Sequence, residues 1–239
     1  MKLMRPARAC LLLTAALLAA CPLPPRHAAA PAPAPAPAPA QLGVPYDVLS
    51  SESLLTVRVY RAGALASAGH NHLIATHELG GSVYVPADPL RSTCRLHFPV
   101  LSLTVDEPAL RAADPSGDFS GPVPEAARQG TRLHALGPGQ LDAEHYGEIE
   151  LRCLRLEREP SSGATFVRVQ LEVGMRGGSY PLTLTVRYAY DAQTLTVSGE
   201  TDVLQSALGL RPYSALLGAL QVQDRIHVVL ALRARRGTR

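Results

Sequence analysis

Val167-Arg168-Val169-Gln170-Leu171-Glu172-Val173 and, after a short break, Leu182-Thr183-Leu184-Thr185-Val186-Arg187-Tyr188 decide the fold of this chain. In both stretches every second residue is apolar. In an extended backbone that period places all the apolar side chains on one face. The same rhythm continues in Leu195 and Val197, and again in Ile226, Val228, Leu230 and Leu232. Working outward, it predicts further strands over 54–60, 72–78, 81–86, 92–104 and 147–157. Turn formers separate them: Gly80-Gly81, Pro160-Ser161-Ser162-Gly163, Gly177-Gly178 and Asp191-Ala192-Gln193. Two stretches break the pattern. Between Asp106 and Tyr146 a loop rich in Pro, Gly and Asp leads into a weakly helical segment, Pro124 to Leu136. Asp202 to Gln221, with Gly209, Pro212 and Gly218, reads as a long loop or irregular turn.

Eight or nine antiparallel strands with one short helix define an all-β protein, either a sandwich or an up-and-down barrel. Closure into a barrel removes exposed edges. The inward rows are Val, Leu and Ile, with three Phe and no Trp in the whole chain. Such rows suit a plain core. They equally suit a cavity, because an eight-stranded barrel is wide enough to hold one small ligand. On the second reading the lining is Val167, Val169, Leu171, Leu182, Leu184, Val186, Ile226 and Val228.

The beginning of the chain speaks about location. Lys2, Arg5 and Arg8 precede an apolar stretch, Leu11 to Ala20, shorter than the roughly 20 residues a membrane span needs. Leu18-Ala19-Ala20-Cys21 resembles the cleavage site of a bacterial lipoprotein signal. The resemblance implies a signal peptide over 1–20 and a Cys21 that carries acyl chains and anchors the chain to a membrane. An ordinary secretory signal is the alternative, and both readings export the protein. Residues 21–45 form a tether, with Ala28 to Ala40 made only of Ala and Pro. Missing amide protons exclude helix and ladder there, leaving polyproline II. At about 3.1 Å per residue, Pro22 to Pro45 would reach roughly 75 Å. A domain over 46–235 and a basic tail, 236–239, complete the division.

Charge and composition exclude several functions. The chain has 23 basic and 20 acidic residues. Removing Lys2, Arg5 and Arg8 with the signal leaves a neutral protein with no global field for nucleic acid. Arg233, Arg235, Arg236 and Arg239 read as a solvated, fraying end, the alternative being contact with anionic lipid headgroups. Lysine is absent after Lys2, which removes Schiff-base chemistry, a P-loop Lys and Ser-Lys dyads. With no G-x-S-x-G, G-x-G-x-x-G or C-x-x-C motif either, no catalytic residue and no cofactor are assigned. Cys94 and Cys153 both lie in alternating apolar runs. In an oxidising compartment the pair favours a disulfide, the alternative being two buried thiols on strands that never meet.

Several segments together resemble the YceI-like family. They are Tyr46-Asp47-Val48 with Ser53 and Leu55–Val59; Gly80-Gly81-Ser82-Val83-Tyr84-Val85-Pro86-Ala87-Asp88-Pro89; Leu141-Asp142-Ala143-Glu144-His145-Tyr146-Gly147-Glu148-Ile149; Gln205-Ser206-Ala207-Leu208-Gly209-Leu210; and Gly218-Ala219-Leu220-Gln221-Val222-Gln223-Asp224. The resemblance implies a lipocalin-like antiparallel barrel that binds an isoprenoid lipid or quinone. An apolar lipid is then the expected partner, the membrane is reached through acylated Cys21, and the location is the periplasm-facing cell envelope. Protein partners are not indicated.

Gly69-His70-Asn71-His72 is the densest polar constellation. In an extended chain His70 and His72 point the same way. Three roles compete for His70, Asn71 and His72. One is hydrogen bonding at a barrel mouth, one is recognition of a ligand headgroup, and one is a transition-metal site with a third ligand from His77, His97, His134, His145 or His227. The alternative to a lipid binder is therefore a periplasmic metal-binding protein or metal-dependent enzyme centred on His70 and His72.

Overall fold

The alternating runs fold as strands in a computed structural model that describes residues 42–159 and 165–238. The expected signal peptide, Cys21 and most of the tether lie outside those residues. The strands are β1 (Val44–Val48), β2 (Leu54–Ala62), β3 (His72–Thr76), β4 (Gly80–Val85), β5 (Thr93–Pro99), β6 (Thr104–Val105), β7 (Glu148–Arg158), β8 (Phe166–Met175), β9 (Gly178–Tyr190), β10 (Thr194–Leu204), β11 (Ser214–Ala215) and β12 (Leu220–Arg236). Two helices, α1 (Pro108–Ala113) and α2 (Glu125–Leu136), lie between β6 and β7.

Eight strands close a ring of antiparallel neighbours in the order β1, β4, β5, β7, β8, β9, β10, β12, and β12 returns to β1. The result is a lipocalin-like barrel. Its long strand β12 serves two partners along one edge. Near its end it pairs with β1, Tyr46 opposite Arg236. Earlier it pairs with β2, Leu230 opposite Leu55. From β2 the sheet continues through β3 to β6, so the His70–His72 segment rides on a ribbon outside the eight-stranded ring.

Local chemistry explains where strands turn and break. The β8–β9 hairpin turns on Arg176 and Gly177, both at positive φ (52° and 69°), with Met175 opposite Gly178. Two left-handed residues make the tight turn whose twist matches the flanking strands. The strand expected over 92–104 is interrupted after Pro99, which has no amide proton for the ladder. A turn over Val100–Ser102 follows, before β6. In β7 the register shifts between Cys153 and Arg155. The extra residue, Leu154, faces out, and both Cys153 and Leu156 line the interior.

Four boundaries differ from expectation. β1 begins at Val44, inside the span assigned to the tether. The basic tail is not fraying: Arg233, Arg235 and Arg236 belong to β12, and the Arg236 amide donates to the Gln193 carbonyl at 2.8 Å. A second helix, α1, starts on Pro108, a residue pre-set for the first helical position. The segment 202–221 is an ordered return: β10 extends to Leu204, and Ser214 of β11 pairs with Gln221.

Cys94 of β5 and Cys153 of β7 are joined by a disulfide with their Cα atoms 5.0 Å apart. It closes a loop 59 residues long in sequence separation. Replacing both by Ser is expected to cost about 2–4 kcal/mol, since the unfolded chain regains the closed-loop entropy. Chemical denaturation of the Cys94→Ser/Cys153→Ser variant checks this; an unchanged midpoint overturns it.

Candidate functional site

The barrel is hollow. Its interior holds a cavity of about 820 Å³, within the 300–1,000 Å³ typical of small-molecule sites. Val167, Val169 and Leu171 of β8, Leu182, Leu184 and Val186 of β9, and Ile226 and Val228 of β12 all line it. Between them, Arg168 and Thr183 point to solvent. Facing walls come from Leu55, Val57 and Val59 of β2 and from Leu96 and Phe98 of β5. The wall is almost entirely hydrocarbon. Towards the end at the β9–β10 turn, buried Tyr46 reaches across from β1, its hydroxyl donating to the Asp191 carbonyl at 2.6 Å.

The opposite end carries the polar groups and the helix. Ala127, Gly130, Thr131, His134 and Ala135 form one face of α2 and line the cavity, at the spacing that brings side chains onto one helical stripe. The helix is pinned there by Arg132, whose Nε donates to the Leu103 carbonyl (3.0 Å) and Nη2 to that of Leu101 (2.8 Å). Arg61, His70, His72, Gln140, Gln205, Tyr213 and Gln221 complete this mouth. Gln205 is held by a bond from its side-chain amide to the Gln223 carbonyl at 2.7 Å, and Tyr213 meets the His134 ring edge-on at 4.6 Å.

The three residues of the histidine cluster have different surroundings. His70 and His72 both line the cavity, with ring centroids 6.1 Å apart. His72 is committed at both nitrogens: Nδ1 is 2.6 Å from Asp106 Oδ2 and Nε2 is 3.2 Å from Thr131 Oγ1. Asn71 does not line the cavity. Its Oδ1 accepts from the Arg61 amide and its Nδ2 donates to the Asp118 carbonyl. It ties β2 to the loop after α1, which removes it as a headgroup contact. His70 makes no hydrogen bond among the described residues.

The metal alternative is not favoured. No group of three His, Cys, Asp or Glu able to hold an ion is assembled among the described residues. Of the other candidate ligands, His77 pairs with Glu107, His97 with Glu148, His145 with Asp142 and His227 with Asp202, while His134 lines the mouth with its ring against Tyr213.

Behind His72 lies an ionic network that the sequence reading missed. Asp106 is 1% exposed and sits at φ 55°. Its carboxylate accepts from His72 Nδ1, from the Leu73 amide (2.9 Å) and from Arg111 Nη1 (2.6 Å). Arg111 Nη1 also donates to the Asn71 carbonyl and its guanidinium lies over the Phe119 ring. Burial pushes the Asp106 carboxyl up. The hydrogen bonds from His72 and Leu73, the His72 charge and the Arg111 bond outweigh it and hold the group below the ordinary carboxylate value. The network joins β3, α1 and, through Thr131, the helix over the mouth. No periodicity marks Asp106 and Arg111; the spacing 127, 130, 131, 134, 135 was the one available signal for the helix face.

No protein-family model matches the chain, and no curated protein matches it. Among solved structures the chain is similar to BcnA of Burkholderia cenocepacia, with 15% identity and a TM-score of 0.56, over 79% of this chain and 99% of that one. The fold is the YceI-like barrel. A weaker likeness to the Campylobacter jejuni YceI protein covers 67% of this chain and 82% of that one, at 10% identity and a TM-score of 0.45. At 15% identity it is the architecture alone that is shared with BcnA. The ligand must be argued from this chain's own cavity.

Proposed function

We propose that this chain is an exported, membrane-anchored YceI-like lipoprotein. Its barrel takes up one long apolar ligand, an isoprenoid quinone or polyprenyl lipid, and holds it by burial rather than reaction. The observation that carries this is the hydrocarbon-lined cavity of about 820 Å³. The lining hydrocarbon faces water wherever the cavity is not filled, so an apolar occupant gains by removing that surface from solvent. An apolar chain suits the wall, since each buried methylene is worth roughly 0.8 kcal/mol. His70 and His134, whose imidazoles make no hydrogen bond among the described residues, stand at the mouth, where a polar head would lie.

An organic extract of protein purified from its native source tests the reading. A stoichiometric polyprenyl or quinone mass is expected. An extract free of lipid, together with no uptake of added polyprenyl lipid, overturns it. Anchoring is tested separately. Cys21→Ser is expected to accumulate as uncleaved precursor or to escape lipoprotein processing, seen as a loss of detergent-phase partitioning. Mature Cys21→Ser protein that partitions like the parent counts against acylation.

A further inference from the structure

Two loops stand side by side at the cavity mouth. One follows β2 and the other joins β11 to β12. The Leu65 amide donates to the Ala219 carbonyl at 2.8 Å. At Gly63 a Cβ would stand 2.4 Å from the same oxygen, so glycine is what lets the two backbones approach. Gly69, His70, Leu220 and Gln221, on the flanks of these loops, line the cavity. The loop tips carry Leu65, Leu216 and Leu217, which are 44%, 66% and 109% exposed. The last value describes a side chain that projects clear of the fold.

Leu216 and Leu217 are also consecutive residues in the left-handed region, at φ 51° and 55°. Branched, bulky side chains are disfavoured there, where Gly or Asn is usual. The loop thus keeps a local conformational cost and, at the same positions, an apolar surface facing water. Neither serves the barrel core. Such a combination points to a surface that is covered by something else.

We infer that this tip is a membrane-docking prong that seats the cavity mouth on a lipid bilayer. Charge selects the bilayer over a protein partner. From Ser53 to His77 and from Val203 to Gln223 there is no Asp or Glu; Arg58 is paired with Asp114, which leaves Arg61 and Arg211 as the cations beside the tip. The Arg211 side chain is exposed and makes no ion pair among the described residues. Cations around a convex apolar tip match anionic headgroups above an acyl layer. Tyr213, half-exposed beside the tip, has the apolar body and polar end that favour the same boundary. The inference concerns how the mouth meets a membrane and does not depend on which molecule fills the cavity.

The chain has no Trp, so Leu217→Trp in the full chain supplies a single reporter. On phosphatidylethanolamine–phosphatidylglycerol vesicles with brominated acyl chains its emission is expected to shift to the blue. It should be quenched roughly twofold or more, as for a side chain seated about 5–10 Å into the boundary. Leu65→Trp should behave alike, and Leu154→Trp on the barrel wall should not be quenched. With Leu65→Trp as reporter, Leu216→Asn/Leu217→Asn keeps residues that tolerate the left-handed backbone and should abolish the quenching. Two results overturn the inference. One is Leu217→Trp emission that is indifferent to brominated lipid. The other is a blue shift that grows with protein concentration without vesicles, which would make a second copy of the chain the occupant.

Discussion

Leu184→Trp is expected to weaken uptake of a polyprenyl probe about 30-fold and to leave the thermal midpoint nearly unchanged. Leu184 is a buried residue of β9 on the cavity wall. A larger ring there displaces ligand carbon. Excluding two or three methylenes at about 0.8 kcal/mol each costs roughly 2 kcal/mol of binding. Thr183→Trp, one residue away on the outer face, should bind as the parent does. The thermal midpoint separates a cavity from a packed core. In a filled core the same substitution overpacks and destabilises by about 1–3 kcal/mol. A lowered midpoint with undiminished uptake would show that the ring has not entered the ligand space.

The barrel wall was readable because its physics is local. A strand buried on one side must alternate, and β8, β9 and the part of β12 from Ile226 onward do so, so their inward residues are legible from the sequence. Where a single residue changes the parity, the reading stopped. The bulge at Leu154 makes Cys153 and Leu156 neighbours on the inner face, and nothing in a period-two pattern announces it. Pro99 does carry a signal in the sequence, since a residue without an amide proton ends the ladder there.

The mouth was harder for a different reason. Its groups come from β3, α1, α2 and the 205–222 return, and they meet only in three dimensions. The histidine pair was visible as composition, but composition does not distinguish His70, free among the described residues, from His72, bound at both nitrogens. Helix α2 was expected as weakly helical because its inward face is Ala, Gly, Thr and His rather than Leu. A helix that covers a cavity needs no apolar stripe as strong as one that fills a core.

Asp106→Asn should be the most destabilising single change at the mouth, at about 3–5 kcal/mol, because it leaves the Arg111 charge in a largely buried site without its counterion. For a domain of this size each kcal/mol shifts the midpoint by about 2–4 °C, so a fall on the order of 10 °C is expected. Asn tolerates the left-handed backbone that Asp106 adopts, so strain does not confuse the result. Arg111→Met added to Asp106→Asn removes the stranded charge, and the double variant should be less destabilised than the sum of the two single changes. Acid provides an independent check. The Asp106 carboxyl is held below its ordinary value in the folded chain, so the unfolded chain binds this proton more readily. Its contribution is complete above the unfolded value of about 3.9 and is lost as pH falls through the lower folded value. Asp106→Asn should therefore flatten this part of the acid limb of stability against pH. A variant within about 1 kcal/mol of the parent, with an unaltered acid limb, would mean that solvent already screens the network. The mouth would then be held by Arg132 and the helix backbone instead.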